Sequence, residues 1–240
     1  MCLATISMVA FLLATTRKVA MSQKIQKQSI GIKSRTRVRD RGEVFTEKRE
    51  VDNILALTQA TSNRYWRFLE PACGNGNFLE AILRQRLDHL KQDRIEWHPK
   101  NREFSVLKVL STIYGVDIAE DNIAECRKRL SGVVFEYLSK KSSKGFLLAM
   151  DEILRTNLIV GDMLNGKEFV FFVEYSTPVK GRFKRRVYAL TDMENDIDRI
   201  ITEMPPVRLE DMTPIKIPDK DSPPLGNGDT EQKTLFGDKK

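Results

Sequence analysis

The chain has few of the residues that build metal centres or nucleophilic pairs. Its 240 residues include two histidines and three cysteines, and Cys2, Cys73 and Cys126 are too far apart to form a Cys-x-x-Cys ligand pair. Because the cysteines are odd in number and scattered, they fit a reducing compartment. We therefore expect a cytoplasmic protein without a metal site. Neither His89 nor His98 belongs to a recognisable motif, so a Cys–His nucleophile is not predicted.

The sequence also lacks a hydrophobic run long enough to cross a bilayer. The apolar residues 3–15 are fewer than the roughly 20 that a span needs, and no basic region precedes them. Met21 opens a polar stretch that resembles an ordinary protein start. We therefore interpret residues 1–20 as an upstream-start extension, with a weak membrane anchor as the alternative, and predict no membrane partner.

Positive charge is in excess. The chain has 40 Lys and Arg against 33 Asp and Glu, a net charge of +7, which suits an acidic partner such as nucleic acid. Basic residues crowd the stretch before residue 42, where Arg35, Arg37 and Arg39 are predicted to contact phosphates. A solvated tail is the alternative interpretation of this stretch.

Residues 68–79 are the most informative stretch. They indicate the end of a buried strand, a tight turn and the start of an amphipathic helix. Gly74 and Gly76 lack the Cβ atoms that would keep a ligand off the backbone, and a helix beginning near Asn77 directs its free N–H groups into the same crevice. Glu70, at the carboxyl end of the strand, would repel a diphosphate but attract a cationic ligand. The turn therefore favours S-adenosylmethionine over a dinucleotide.

Residues 70–78, Glu-Pro-Ala-Cys-Gly-Asn-Gly-Asn-Phe, resemble a motif of the S-adenosylmethionine-dependent DNA adenine methyltransferases, particularly those of restriction-modification systems. The family's motif reads Glu/Asp-Pro-Ala-Cys-Gly-x-Gly-x-Phe. Three further segments resemble the family in the same order: Gly-Glu-Val-Phe-Thr at 42–46, the strand with Gly-Val-Asp-Ile at 115–118, and the strand with Gly-Asp at 161–162. The resemblance covers roughly residues 35–162.

The resemblance implies an α/β domain with the Rossmann-like class I methyltransferase fold, a mostly parallel sheet with helices on both faces. In that fold Asp117 would accept the ribose hydroxyls of the cofactor, since two acceptor oxygens match a vicinal diol. Asp162 would accept the adenine amino group with Met163 against the ring; the alternative is that Asp162 caps the following turn. The implied cofactor-binding residues are Phe45, Thr46, Glu70, Ala72, Gly74, Gly76, Asn77, Phe78, Asp117, Ile118, Asp162 and Met163.

The family's base-binding loop, Asp/Asn/Ser-Pro-Pro followed by an aromatic residue, has no match in this chain. The two Pro-Pro sequences, at 205–206 and 223–224, are followed by Val207 and Leu225 and so lack the aromatic ring that stacks on a flipped base. Two apolar runs, 169–175 and 183–190, predict instead a β-hairpin about a turn that contains proline and glycine. Its basic residues are predicted to contact nucleic acid: Lys180, Arg182, Lys184, Arg185 and Arg186.

We therefore expect an N-terminal extension with a basic arm (1–41), an S-adenosylmethionine-binding domain (42–165), a hairpin and short-helix appendage (166–204) and a disordered tail (205–240). Near the end, residues 232–236, from Gln232 through Leu235 to Phe236, resemble peptides that bind the bacterial sliding clamp.

The predicted function is the cofactor-binding component of a DNA adenine-N6 methyltransferase in a restriction-modification system. DNA is its partner, and a second subunit carries the base-binding loop. No catalytic residue can be named. The alternatives are a non-catalytic cofactor- or DNA-binding module, a methyltransferase that acts on RNA or protein, and a truncated remnant of a longer gene.

Overall fold

A computed structural model describes residues 63–138 and 142–218, together with the helical residues 51, 53 and 55. Within these ranges the fold is mixed α/β, with a three-stranded parallel sheet and a three-stranded antiparallel sheet. None of the helices in these ranges is long and apolar enough to span a membrane.

The parallel sheet carries the segments that the sequence analysis singled out. Its strands are β1 (Phe68–Glu70), β2 (Ile113–Asp117) and β3 (Leu158–Val160), in the order β1-β2-β3. The helices between them are α1 (Asn77–Gln92), α2 (Arg102–Leu110), α3 (Glu120–Tyr137) and α4 (Lys144–Asn157). The register pairs Glu70 with Gly115 and Asp117 with Val160, so all three strands end at one edge of the sheet.

Each long helix buries an apolar stripe, as its sequence predicts. In α1, Leu79, Ile82, Leu83 and Leu87 follow at intervals of three or four residues and are fully buried. Helix α4 begins at Ser143, whose hydroxyl accepts a hydrogen bond from the N–H of Phe146. These helices pack on the main apolar cluster, which also includes side chains from all three parallel strands.

The antiparallel sheet contains β4 (Phe171–Ser176), β5 (Phe183–Ala189) and β6 (Thr202–Val207), in that order, with a short helix α5 (Leu190–Glu194) between β5 and β6. Strands β4 and β5 confirm the predicted hairpin. Strand β6 occupies residues that were predicted in part to be disordered, and that prediction is wrong for residues 205–218. Within the described residues β6 pairs with β5 alone, so Pro205 and Pro206 lie in an edge strand, where missing N–H groups are tolerated.

The two faces of the parallel sheet are covered differently. Successive side chains alternate between faces, so Ile113 lies in the main cluster and Tyr114 and Val116 lie in a smaller one. That smaller cluster contains Phe172 of β4 and Leu190 of α5. Among the described residues, the second face is therefore covered by strand and short-helix residues, and long helices cover the first face.

Strand β4 runs opposite to the parallel strands. Just before β4, Val170 lies beside the end of β3, since a Cβ placed on Gly161 would come 3.2 Å from Val170 Cγ2. Further along β4, Glu174 forms an ion pair with Arg67, which directly precedes β1. The hairpin turn at 177–182 therefore lies beyond the edge where the parallel strands begin.

The segment after β5 returns to the edge where the parallel strands end. The N–H of Leu190 donates to the carbonyl of Val170 at 2.9 Å, and Lys167 pairs with Glu194 at 2.6 Å. Residues 190–200, here called the return segment, therefore lie at the same edge as Glu70 and Asp117.

A buried ion pair joins helix α4 to the antiparallel sheet. Glu152 of α4 and Arg185 of β5 are 5% and 0% exposed, and their charged groups lie 3.2 Å apart. The same Glu152 carboxylate accepts the N–H of Ile215 at 2.7 Å, and Arg185 donates to the carbonyl of Thr213 at 2.6 Å. Residues 212–215, with Met212 and Ile215 buried, are thus part of the core.

Candidate cofactor-binding site

The turn between β1 and α1 folds over the end of β2. The N–H of Cys73 donates to the carbonyl of Val116 at 2.9 Å, and the N–H of Gly74 donates to Oδ2 of Asp117 at 2.9 Å. Gly74 and Gly76 have φ values of 53° and 85°, a left-handed conformation that favours glycine. The glycine turn and the acidic end of β2, which are 43 residues apart in sequence, therefore form one structure.

Gly76 is required by packing as well as by its backbone angle. A Cβ at this position would lie 2.4 Å from Sγ of Cys126, so the turn is pressed directly against helix α3. The hydrogen bond to Cys126 and burial raise the pKa of the Cys73 thiol far above its usual range. Cys73 therefore stays protonated, and a thiolate nucleophile is not available here.

Asp117 is held in one orientation by its neighbours. Oδ1 accepts the N–H of Ala119 at 2.9 Å and the side-chain amide of Asn122 at 3.2 Å, while Oδ2 accepts the N–H of Gly74. A carboxylate has about four lone-pair sites, so after these three bonds about one site remains for a hydroxyl of a ligand diol. The next residue, Ile118, is 61% exposed at this edge of the sheet.

Glu70 is partly buried at the end of β1. Burial raises the pKa of its carboxyl to about 7, although the hydrogen bond with the backbone of Ala72 acts in the opposite direction. An isolated carboxyl with this pKa is stabilised in its charged form by a cationic ligand. The position therefore suits an ammonium or sulfonium group better than a phosphate.

Asp162 lies beside Asp117 but is already engaged in a local turn. The N–H of Gly161 donates to the carbonyl of Asp117 at 3.0 Å, which fixes the end of β3 against β2. The Asp162 carboxylate accepts the N–H groups of Leu164 at 2.8 Å and Asn165 at 3.0 Å, and these bonds lower the pKa of the carboxyl. The alternative interpretation, that Asp162 caps the following turn, describes its contacts in the structure. Met163 packs against the smaller apolar cluster.

The remaining predicted residues divide between the turn and the core. Ala72 is exposed in the turn, and Asn77 begins helix α1. Phe78 stacks on Phe68 with 5.8 Å between ring centroids, next to the main cluster. Phe45 and Thr46, like Arg35, Arg37, Arg39 and the clamp-like residues 232–236, lie outside the described residues.

Two polar residues near the turn were missed by the sequence analysis as site residues. Asn122, 2% exposed, orients Asp117, and Asn75, 7% exposed, donates to Glu125 of α3 at 3.0 Å. In the sequence Asn122 looks like an ordinary residue at the start of a helix, and Asn75 occupies the variable position of the glycine motif. Their partners become visible only when β1, β2 and α3 meet in space.

Most of the basic hairpin residues are paired with acidic side chains or lie far from the glycine turn at 73–76. Arg185 is fully buried against Glu152, so the prediction that it contacts nucleic acid is wrong. Lys184 and Arg186 pair with Glu203 at 2.8 and 2.6 Å. Lys180 is exposed, and Arg182 is partly buried, near the hairpin turn. The six residues of β4 rise about 3.3 Å each, so the hairpin turn lies roughly 20 Å from the sheet edge that carries Asp117.

Two surface grooves lie along α3 and α4, and the second reaches Val160 at the end of β3. Their volumes are about 440 and 330 Å³, and both are lined by Arg127 of α3 and Arg155 of α4. Arg127 donates to the carbonyl of Leu158 at 2.7 Å and so caps the end of α4. Neither groove includes a predicted cofactor-binding residue. In the described ranges, no group of three or more His, Cys, Asp or Glu residues could hold a metal ion.

No protein-family model matches the chain, and no curated protein matches it.

Proposed function

We propose that this chain is the S-adenosylmethionine-binding component of a DNA adenine-N6 methyltransferase of a restriction-modification system. The observation that carries the proposal is the 2.9 Å hydrogen bond from the N–H of Gly74 to Asp117. This bond joins the glycine turn after β1 to the acidic end of β2, the two features by which such a fold holds a nucleoside and its attached chain. The parallel order β1-β2-β3 supports the finer assignment to a Rossmann-like class I methyltransferase fold.

The residues at this edge fit S-adenosylmethionine chemically. Asp117 is oriented with acceptor capacity for a hydroxyl of a ribose diol, and the exposed Ile118 beside it offers an apolar contact to a base. Glu70, without a cationic partner within the described residues, complements the positive charge of the donor. When bound, the cofactor supplies a methyl group on a sulfonium centre, and the chain contributes alignment.

The return segment supports placing the base-binding half on a partner chain. It lies at the edge where an acceptor base would approach, but Asp192 is occupied by Arg199, at 2.8 and 2.9 Å. Of its other charged residues, Asp196 and Asp198 are exposed and acidic and would repel phosphates. A partner that supplies the aromatic base-binding loop would also supply the DNA contacts. We expect the assembly to act in the cytoplasm.

Calorimetric titration of S-adenosylmethionine into the purified chain tests the cofactor site. We expect saturable binding that Asp117→Ala weakens at least tenfold, while Asp151→Asn, on the exposed side of α4, leaves it unchanged. Absence of binding to the wild-type chain would contradict the proposal. Transfer of a tritiated methyl group to DNA, with and without a subunit that carries the Pro-Pro-aromatic loop, tests the division of labour. Incorporation by the chain alone would contradict the split site.

A methyltransferase that acts on a protein is the second candidate. It is favoured by the acidic return segment, because the exposed Asp196 and Asp198 would attract a basic polypeptide rather than DNA. In the same tritium assay, incorporation into a lysine-rich protein fraction without incorporation into DNA would select this candidate.

A further inference from the structure

The side chain of Asn75, in the middle of the glycine turn, is directed into the protein. The residue is 7% exposed, and its Nδ2 donates to Oε1 of Glu125 at 3.0 Å. Its Oδ1 is buried and has no hydrogen-bond partner within the described part of the chain. The bond to Glu125 is thus the contact through which this side chain is held.

Glu125 belongs to a line of charges between α1 and α3. Arg129 lies 3.5 Å from Glu125 and 2.8 Å from Glu80 on α1, and Glu80 also pairs with Arg84 at 2.9 Å. Arg84 in turn pairs with Glu136 near the end of α3. The Asn75–Glu125 bond therefore connects the glycine turn to a framework that spans two packed helices.

The glycine turn has separate attachments on its two sides. On the β2 side, Cys73 and Gly74 donate backbone hydrogen bonds to Val116 and Asp117. On the α3 side, Gly76 packs against Sγ of Cys126, the Cys73 thiol forms a hydrogen bond with Cys126, and Asn75 donates a hydrogen bond to the Glu125 carboxylate. Backbone in a left-handed turn has other conformations of similar energy when glycine occupies it. A bond from the residue between two such glycines would restrict that freedom.

We propose that Asn75 is a positioning residue, which with Glu125 holds the glycine turn in its ligand-ready conformation. This inference depends on the proposed function, because the ligand is the methyl donor assigned above. It adds that the donor's affinity depends on a side chain that points away from the donor. Pre-organisation of this kind improves affinity by removing the ordering cost from the binding step.

A double-mutant cycle with Asn75→Ala, Glu125→Ala and the double variant tests the inference, with S-adenosylmethionine as the titrated probe. We expect each single variant to raise Kd about tenfold, which corresponds to ~1.4 kcal/mol, and the double variant to add little more. Glu125→Gln keeps a carbonyl oxygen that can accept from Nδ2, so its Kd is expected to stay within about threefold of wild type. Glu136→Ala removes the far end of the charge line and serves as the control matched to Glu125→Ala, with Kd unchanged.

Unfolding in urea without ligand shows whether each variant is folded under the titration conditions. If Asn75→Ala and Glu125→Ala are folded and bind the donor like the wild type, the positioning role is wrong while the proposed function stands. Additive effects in the double variant, or loss of affinity in Glu125→Gln equal to that in Glu125→Ala, would also contradict it. If the wild-type chain itself binds no donor, the proposed function fails first.

Discussion

The pKa of Glu70 predicts an unusual dependence of stability on pH. Burial raises this pKa to about 7 from an ordinary value of 4.5. The folded chain therefore binds more protons at this site than the unfolded chain between these two values. The contribution of Glu70 to the free energy of unfolding therefore falls as pH rises through that window and stays constant at higher pH. Glu70→Gln removes the titration, so we expect this variant to gain stability relative to the wild type as pH rises from 4.5 to 8.

The size of the effect follows from the difference in pKa. One pKa unit corresponds to ~1.4 kcal/mol, so the difference at Glu70 corresponds to ~3 kcal/mol. Because Glu70 is partly buried and solvent screens its charge, we expect about 2 kcal/mol. A cationic donor stabilises the charged form, so the affinity of the wild-type chain for S-adenosylmethionine should rise as pH passes 7.

Urea unfolding followed by far-ultraviolet circular dichroism measures the effect at half-unit pH steps. The quantity of interest is the difference between wild type and Glu70→Gln, since other titrating groups cancel in it. Glu120→Gln, at the exposed start of α3, controls for the loss of one carboxylate from the surface. If the free energies of unfolding of wild type and Glu70→Gln change in parallel between pH 4.5 and 8, burial does not raise the pKa of Glu70 and the prediction is wrong.

Two further predictions concern stability. Gly76→Ala introduces a Cβ into a left-handed, fully packed position and should lower the free energy of unfolding by about 2–4 kcal/mol. Gly132→Ala, on the open side of α3, should raise it by about 0.5–1 kcal/mol. Urea unfolding compares the two variants, and equal effects would contradict the packing argument. Arg185→Ala should cost about 2–3 kcal/mol because it removes a fully buried, charged hydrogen-bond donor from the Glu152 carboxylate, although Arg155 still pairs with that carboxylate. Lys180→Ala should change stability by less than about 0.5 kcal/mol. A loss below about 1 kcal/mol for Arg185→Ala, by the same unfolding assay, would show that the pair is solvated.

The sequence was informative where a local pattern repeats. The apolar stripes of α1 and α3 and the apolar runs in β4 and β5 specify their own elements, because their apolar side chains must be buried. The turn was also predictable, since Gly74 and Gly76 mark a left-handed backbone that other residues rarely adopt. These signals act over a few residues and do not depend on the rest of the fold.

Features that depend on partners distant in the chain could not be predicted from the sequence. Arg185 is two residues from Phe183 and from Val187, so strand alternation places it on the inward face, whereas three consecutive basic residues are typical of an exposed strand. Its burial is possible only because Glu152, 33 residues earlier, faces it from α4. Strand β6 was missed for a similar reason, because its two prolines are tolerated at an edge that only the pairing with β5 defines.

The contact between Glu152 and Ile215 sets a limit on how far the chain can be shortened. A polypeptide that stops after the hairpin would lose the N–H and carbonyl groups that Glu152 and Arg185 bind from residues 213–215. Two opposite charges would then face an open gap in the interior, together with the apolar surface that Met212 and Ile215 cover. Such a fragment would aggregate even though it contains every predicted cofactor residue, so a recombinant version must extend past Ile215.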